Sequence, residues 1–155
     1  MIVNCKLEVL MYGLEKEKMR MAVGLVFVSH SMRLAEGVLE LASQMAQKNV
    51  AMAAAGGAFD GTLGTSMERI LAALHQVDGP DGILVLLDMG SAVMATEMAV
   101  ENFVQEKFCR VIISSAPLVE GAVIAAVESS VGNCLEDVAE AAASAYLLPK
   151  VHAQG

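Results

Sequence analysis

Four short stretches, residues 24–28, 50–55, 83–87 and 111–114, are apolar on consecutive positions rather than on alternate ones, the last up to its closing Ser114. A strand without a polar face has no solvent face, so each stretch needs cover on both sides. The segments between them carry helical periods instead. Leu34, Val38, Leu41 and Met45 recur along one helix face, and Met67, Ile70, Leu74 and Val77 along another. Thr65 with Glu68 reads as a capping box that opens the second helix. Residues 78–82 (Asp-Gly-Pro-Asp-Gly) form a turn cluster. A third helix is predicted over about 91–106, and Pro117 suits the first turn of a fourth, to about 129. Asn133 with Glu136 reads as the cap of a last helix, to about 148, before Pro149. Buried strands alternating with helices are the pattern of βαβ units. The expected fold is α/β: a doubly wound, about four-stranded, mainly parallel sheet of order 2-1-3-4, with helices on both faces and right-handed crossovers.

The chain has 155 residues, one domain's worth. Residues 1–20 are rich in charge and precede the first strand, so they are expected to be an extension outside a core of residues 21–148, with 149–155 as a tail. Asp and Glu outnumber Lys and Arg by 18 to 10, a formal charge of −8. That balance argues against nucleic acid and anionic membrane surfaces, which attract a basic face. Apolar residues make up 55% of the chain, which excludes disorder for most of it. The mean hydropathy is +0.55, yet no charge-free apolar run reaches the 18 residues of a membrane span. Cys5, Cys109 and Cys134 are odd in number and widely spaced, without zinc-ligand spacing. They read as free thiols, and with no signal-peptide pattern at the start a cytoplasmic protein is expected.

In an open parallel sheet, ligands sit beyond the carboxyl ends of the strands where the strand order reverses. With order 2-1-3-4 the loops to read are Ser29-His30-Ser31 and Asp88-Met89-Gly90-Ser91. An aspartate that accepts one ring N–H of His30 would fix the tautomer and leave the other nitrogen free to attack. Ser31 opens a helix whose amides and dipole favour an anion, such as a phosphoryl group on the imidazole. Arg33 is placed to pair with that anion or with an acidic partner, and Gly90 and Ser91 to donate further hydrogen bonds. Met32, Met89 and Leu118 are expected to form an apolar docking rim around His30. The glycine-rich stretch 56–64 has neither Walker A nor dinucleotide spacing and reads as a flexible rim. His75 and His152 read as surface histidines, and no residue cluster suggests a metal. In the third helix, Met94, Ala95, Met98 and Ala99 form one apolar stripe and Val93, Val100 and Val104 another. One of these is expected to cover the sheet.

The string from Val23 to Ser31 (Val-Gly-Leu-Val-Phe-Val-Ser-His-Ser), followed by Arg33-Leu-Ala-Glu-Gly37, resembles the start of mannose-family EIIA domains of the phosphotransferase system. Three further motifs are similar to the branch that serves phosphoenolpyruvate-dependent dihydroxyacetone kinase as its phosphocarrier subunit. They are Gly64-Thr-Ser66, Leu87-Asp-Met-Gly-Ser-Ala92 and Ala116-Pro-Leu-Val-Glu-Gly121. The resemblance spans roughly residues 21–148. It implies that His30 is phosphorylated by the histidine phosphocarrier protein, that Asp88 orients it and that Ser91 lies close by. It further implies transfer to ADP on the nucleotide-binding subunit of the kinase, a phosphotransferase role with no cofactor on this chain, and a homodimer. Two other readings compete. One is a sugar-specific EIIA that donates to a transporter's EIIB, which the loop after the third strand argues against. The other is a non-catalytic regulatory module of the same fold.

Overall fold

A computed structural model describes residues 22–47 and 49–151. The expected extension at 1–20, and His152 in the tail, lie outside the described residues. The four apolar stretches are strands: β1 (Gly24–Ser29), β2 (Met52–Gly56), β3 (Ile83–Leu87) and β4 (Val111–Ile113). They form one parallel sheet of order β2-β1-β3-β4. Five α-helices alternate with and follow them: α1 (Met32–Met45), α2 (Met67–Gln76), α3 (Val93–Glu106), α4 (Leu118–Ser130) and α5 (Leu135–Ala143). Successive side chains of a strand point to opposite faces. Leu25, Phe27, Leu84 and Leu86 accordingly pack against α1, α4 and α5, whereas Val26, Val28, Ile83 and Val85 pack against α2 and α3. Each of these side chains is fully buried, and such burial stabilises by about 1.5–3 kcal/mol per large aliphatic residue.

The helix faces depart from the sequence reading in two places. On α1 the sheet-facing residues are Ala35, Val38 and Ala42, while Leu34, Leu41 and Met45 are exposed. Alanines let the helix axis approach the sheet, and the larger residues stand at the flanks of that contact. On α3 the buried face is Ala99, Phe103 and Thr96, continued backwards by Ala92, with Ala95 and Val100 partly buried beside it, so each predicted stripe covers the sheet only in part. Thr96 escapes an apolar-only count because its hydroxyl donates to the Ala92 carbonyl (2.9 Å), which makes it compatible with burial. Met94, Met98 and Val104 are exposed. The α2 stripe is as predicted, with Ala73 added.

Two caps also differ. Ser66, not Thr65, caps α2: its hydroxyl oxygen accepts the Arg69 amide (3.3 Å), and its proton goes to the Glu68 carboxylate (2.7 Å). The N-cap of α5 is Cys134, which makes no side-chain cap. Asn133 instead donates to Glu128, and Glu136 pairs with Arg110. The third helix begins with a 3-10 turn, Gly90–Ala92, and the last ends in another, Ser144–Leu147.

Candidate functional site

Val28 of β1 lies opposite Leu87 of β3, so the residues that follow, His30 and Asp88, leave the sheet side by side at its carboxyl edge. This is the point where the strand order reverses. The Asp88 amide donates to the Val28 carbonyl (3.1 Å), which extends the sheet pairing by one bond and aims the Asp88 side chain at β1.

The Asp88 carboxylate takes three donors. Its Oδ1 is 3.0 Å from His30 Nδ1. Its Oδ2 accepts the His30 backbone amide (2.8 Å) and the Ser29 hydroxyl (2.9 Å). Burial works against charge on Asp88, but the His30 amide, the His30 ring and the Ser29 hydroxyl outweigh it and hold the carboxyl below its ordinary value of 3.8. Asp88 is therefore ionised at neutral pH. An ionised carboxylate only accepts, so Nδ1 carries a proton, and in the neutral ring the lone pair is on Nε2. That lone pair receives the Ser91 hydroxyl at 3.0 Å. The Asp88 side chain retains 11% of its surface and His30 retains 24%: the anchor is recessed and the imidazole stays reachable.

The surroundings place the other predicted residues as follows. Ser31 is the N-cap of α1; its hydroxyl accepts the Leu34 amide (3.3 Å), and the helix points its first turn at the site. Arg33 is exposed, with no ion pair among the described residues. Gly90 is exposed, and a Cβ there would meet nothing within 4 Å. Met89 is 55% exposed and Met32 half-buried. Leu118 corrects the expected rim: it is 8% exposed, because it begins the sheet-facing stripe of α4 that continues through Ala122, Ala125 and Ala126. A cleft of about 560 Å³ opens between Asp88 and Met89 on one side and Ser114 and Pro117 on the other, with Glu97 of α3 on its wall.

The sequence reading names Ser29 only as part of the first loop and gives it no role, yet it is fully buried. Its signal is a lone hydroxyl ending an otherwise apolar strand. It also passed over how the 56–64 loop is braced. The Gly64 amide donates to the His30 carbonyl (2.9 Å), and Arg69 reaches the carbonyls of Gly56 (3.5 Å) and Phe59 (3.4 Å). Phe59 and Leu63 stand out of this loop, 80% and 79% exposed. Gly56 admits no side chain, since a Cβ would lie 2.5 Å from the Met32 Cα. Gly64 has φ +152°, where L side chains are strained. The two glycines let the loop close on the turn that carries His30.

Among the described residues, no helix is long and apolar enough to cross a membrane, and no group of three or more His, Cys, Asp or Glu could hold a metal ion. The EIIA-man family, described as the PTS system fructose IIA component, matches residues 24–139. The chain is 39% identical over 119 residues to the phosphoryl donor subunit DhaM of a PEP-dependent dihydroxyacetone kinase from Escherichia coli. That match covers 75% of this chain but 25% of the relative, so the chain spans about a quarter of that protein's length. A DhaM subunit of Listeria innocua, from its PEP-dependent dihydroxyacetone kinase 2, is 35% identical over 116 residues, covering 75% of this chain and 93% of that one. The crystal structure of a protein of unknown function has a TM-score of 0.69 at 30% identity, covering 80% of this chain and 95% of the other. The chain belongs to the EIIA-man family, in the branch of the DhaM phosphocarrier subunits.

Proposed function

We propose that this chain is a cytoplasmic phosphohistidine carrier. His30 accepts a phosphoryl group from the histidine phosphocarrier protein and passes it to ADP held on the nucleotide-binding subunit of dihydroxyacetone kinase. The observation that carries this reading is the Asp88 bond to Nδ1, which leaves Nε2 as the nucleophile. In the first step the Nε2 lone pair attacks the donor's phosphorus, the N–P bond of the donor breaks, and its electron pair returns to the donor's imidazole. In the second step a terminal phosphate oxygen of ADP attacks, the Nε2–P bond breaks with its electron pair returning to the His30 imidazole, and ATP is formed on the kinase subunit. Both steps require positioning and charge stabilisation rather than proton transfer, and neither requires a cofactor or metal on this chain. The first-turn amides of α1 behind Ser31, the Arg33 guanidinium, Gly90 and the Ser91 hydroxyl are the groups near enough along the chain to bind the added phosphoryl oxygens. Ser91 has to release Nε2 for the first step and is then free to donate to the phosphoryl group.

The test supplies phosphoenolpyruvate and the general phosphotransfer proteins, and follows acid-labile phosphate on His30. The labelled chain is then offered either the kinase subunit with ADP or a sugar transporter's EIIB. Discharge to ADP supports the reading, discharge to EIIB replaces it with the sugar-specific one, and no labelling replaces it with the regulatory one.

Partners must land around His30, and the apolar groups flanking it in sequence are Met89 and Met32, with Phe59 and Leu63 exposed on the loop whose Gly64 amide bonds the His30 carbonyl, and Arg33 nearby on α1. Methionine adapts to surfaces of different shape, which suits one site that faces two partners. Met89→Asp is expected to weaken transfer both to and from the carrier. The unfolding midpoint should stay near the parent's, because exposed substitutions change stability by roughly 0.5 kcal/mol or less. Rates equal to the parent's with both partners would remove Met89 from the rim. Met94 and Met98 on α3, 72% and 51% exposed, are the surface for the homodimer. Light scattering at micromolar concentration should return twice the chain mass, and a monomer mass would refute it.

A further inference from the structure

We propose that Ser29 is a positioning residue for phosphotransfer: its buried hydroxyl holds Oδ2 of Asp88 so that Oδ1 is presented to Nδ1 of His30. This rests on the carrier reading of His30. Ser29 ends β1, is 0% exposed and is one of few buried polar side chains in the described core. A hydroxyl left unpaired there would be costly, and here both of its capacities are used. It donates to Asp88 Oδ2 (2.9 Å) and accepts the Ser31 amide (3.0 Å). The hydroxyl therefore ties the end of β3, through Asp88, to the cap of α1.

The geometry makes the bond directional. The terminal torsion of an aspartate is soft, so the carboxylate plane must be fixed from outside. Two donors converge on Oδ2, the Ser29 hydroxyl and the His30 amide, and together they leave Oδ1 as the oxygen that meets Nδ1. Among the described residues, the charged or titratable groups facing Asp88 are His30 from the β1–α1 turn and, on the wall of the same cleft, Glu97 from α3. The β4–α4 segment brings Ser114, Ser115 and Pro117, none of them charged. With the Ser29 hydroxyl gone, Asp88 keeps His30 as its partner but loses one of three donors, so its carboxyl rises toward the ordinary value. The hold on the Nδ1–H tautomer loosens with it.

The test compares the parent with Ser29→Ala and with Ser29→Cys, which keeps a side chain of similar shape but hydrogen-bonds weakly. Phosphoryl uptake from the histidine phosphocarrier protein is followed against pH and donor concentration. Both variants are expected to lose roughly tenfold in kcat, the size of one charge-assisted hydrogen bond. KM for the donor should not move, because Ser29 touches no partner, and the acid limb of the pH profile should move to higher pH. Imidazole nitrogen NMR of the folded variants should show part of the His30 population shifted from Nδ1–H to Nε2–H. A residue that merely fills space would change neither the acid limb nor the tautomer. Variants with the parent's kcat, acid limb and tautomer would overturn the proposal, and if Ser29→Ala does not fold, Ser29→Cys alone decides it. If the parent itself takes no label, the carrier reading fails, while the NMR comparison still tests the positioning of Asp88 by Ser29.

Discussion

His30→Ala is expected to carry no acid-labile phosphate after incubation with phosphoenolpyruvate and the general phosphotransfer proteins, whereas His75→Ala should label like the parent. The loss should be at least about a thousandfold, since removing the nucleophile removes the covalent route itself. The contrast between the two histidines is physical. His30 has one nitrogen held by a recessed carboxylate and the other accepting from an exposed serine, so it presents a directed lone pair. His75 Nε2 lies 3.3 Å from the Glu106 carboxylate, and the ring makes an edge-on contact with the buried Phe103 ring (centroids 5.1 Å apart). That contact ties α2 to α3 and offers no anchored nucleophile. His30→Ala should keep its fold, because the ring is partly exposed and the backbone bonds of the turn remain. The measurement is radiolabel on the chain, with the unfolding midpoint alongside, and undiminished label on His30→Ala would end the carrier reading.

The pairing of His30 with Asp88 was legible in the sequence for a topological reason. Uninterrupted apolar runs such as residues 83–87 need cover on both faces, which points to a parallel sheet between helix layers, and a 2-1-3-4 order puts the ends of the first and third strands together. What periodicity could not supply was the identity of the buried helix faces. On α1 the large residues Leu34, Leu41 and Met45 carry a stronger apolar signal than Ala35 and Ala42, yet the alanines face the sheet because close approach favours small side chains. The place of Leu118 after the fourth strand, on the side of the site, predicts a rim residue, but its i+4 spacing to Ala122 belongs to the core stripe of α4. Ser29 and the Gly64 amide were invisible for another reason: their importance lies in single hydrogen bonds to residues 59 and 34 positions away in sequence. A spacing rule contains no term for those.

Asp88→Asn is expected to lower phosphotransfer by about 10³–10⁴-fold while leaving the fold intact, the scale on which a wrong histidine tautomer acts in other imidazole sites. The direction follows from the donors at Asp88. The oxygen at the Oδ2 position faces two of them, the His30 amide and the Ser29 hydroxyl. An asparagine must place its carbonyl oxygen there, because turning its NH₂ to that side would leave both donors unpaired in a recessed site. Its NH₂ then faces Nδ1 and donates to it. Nδ1 becomes the acceptor, the ring proton moves to Nε2, and the lone pair that attacks phosphorus is gone. The Ser91 hydroxyl oxygen can accept from Nε2–H as readily as its proton was donated before, which stabilises the unproductive tautomer further. Stability responds differently. The folded-state pKa of Asp88 lies below its ordinary 3.8, so its ionisation stabilises the parent above that value, and the contribution is lost as pH falls through the lowered one. Asparagine does not titrate, so the stability gap between parent and variant should narrow in that acid window and stay constant near neutrality. Transfer rates, the His30 nitrogen spectrum and unfolding midpoints across pH test these statements separately. An Asp88→Asn chain that transfers within tenfold of the parent, or that keeps the proton on Nδ1, would show that the carboxylate does not set the tautomer.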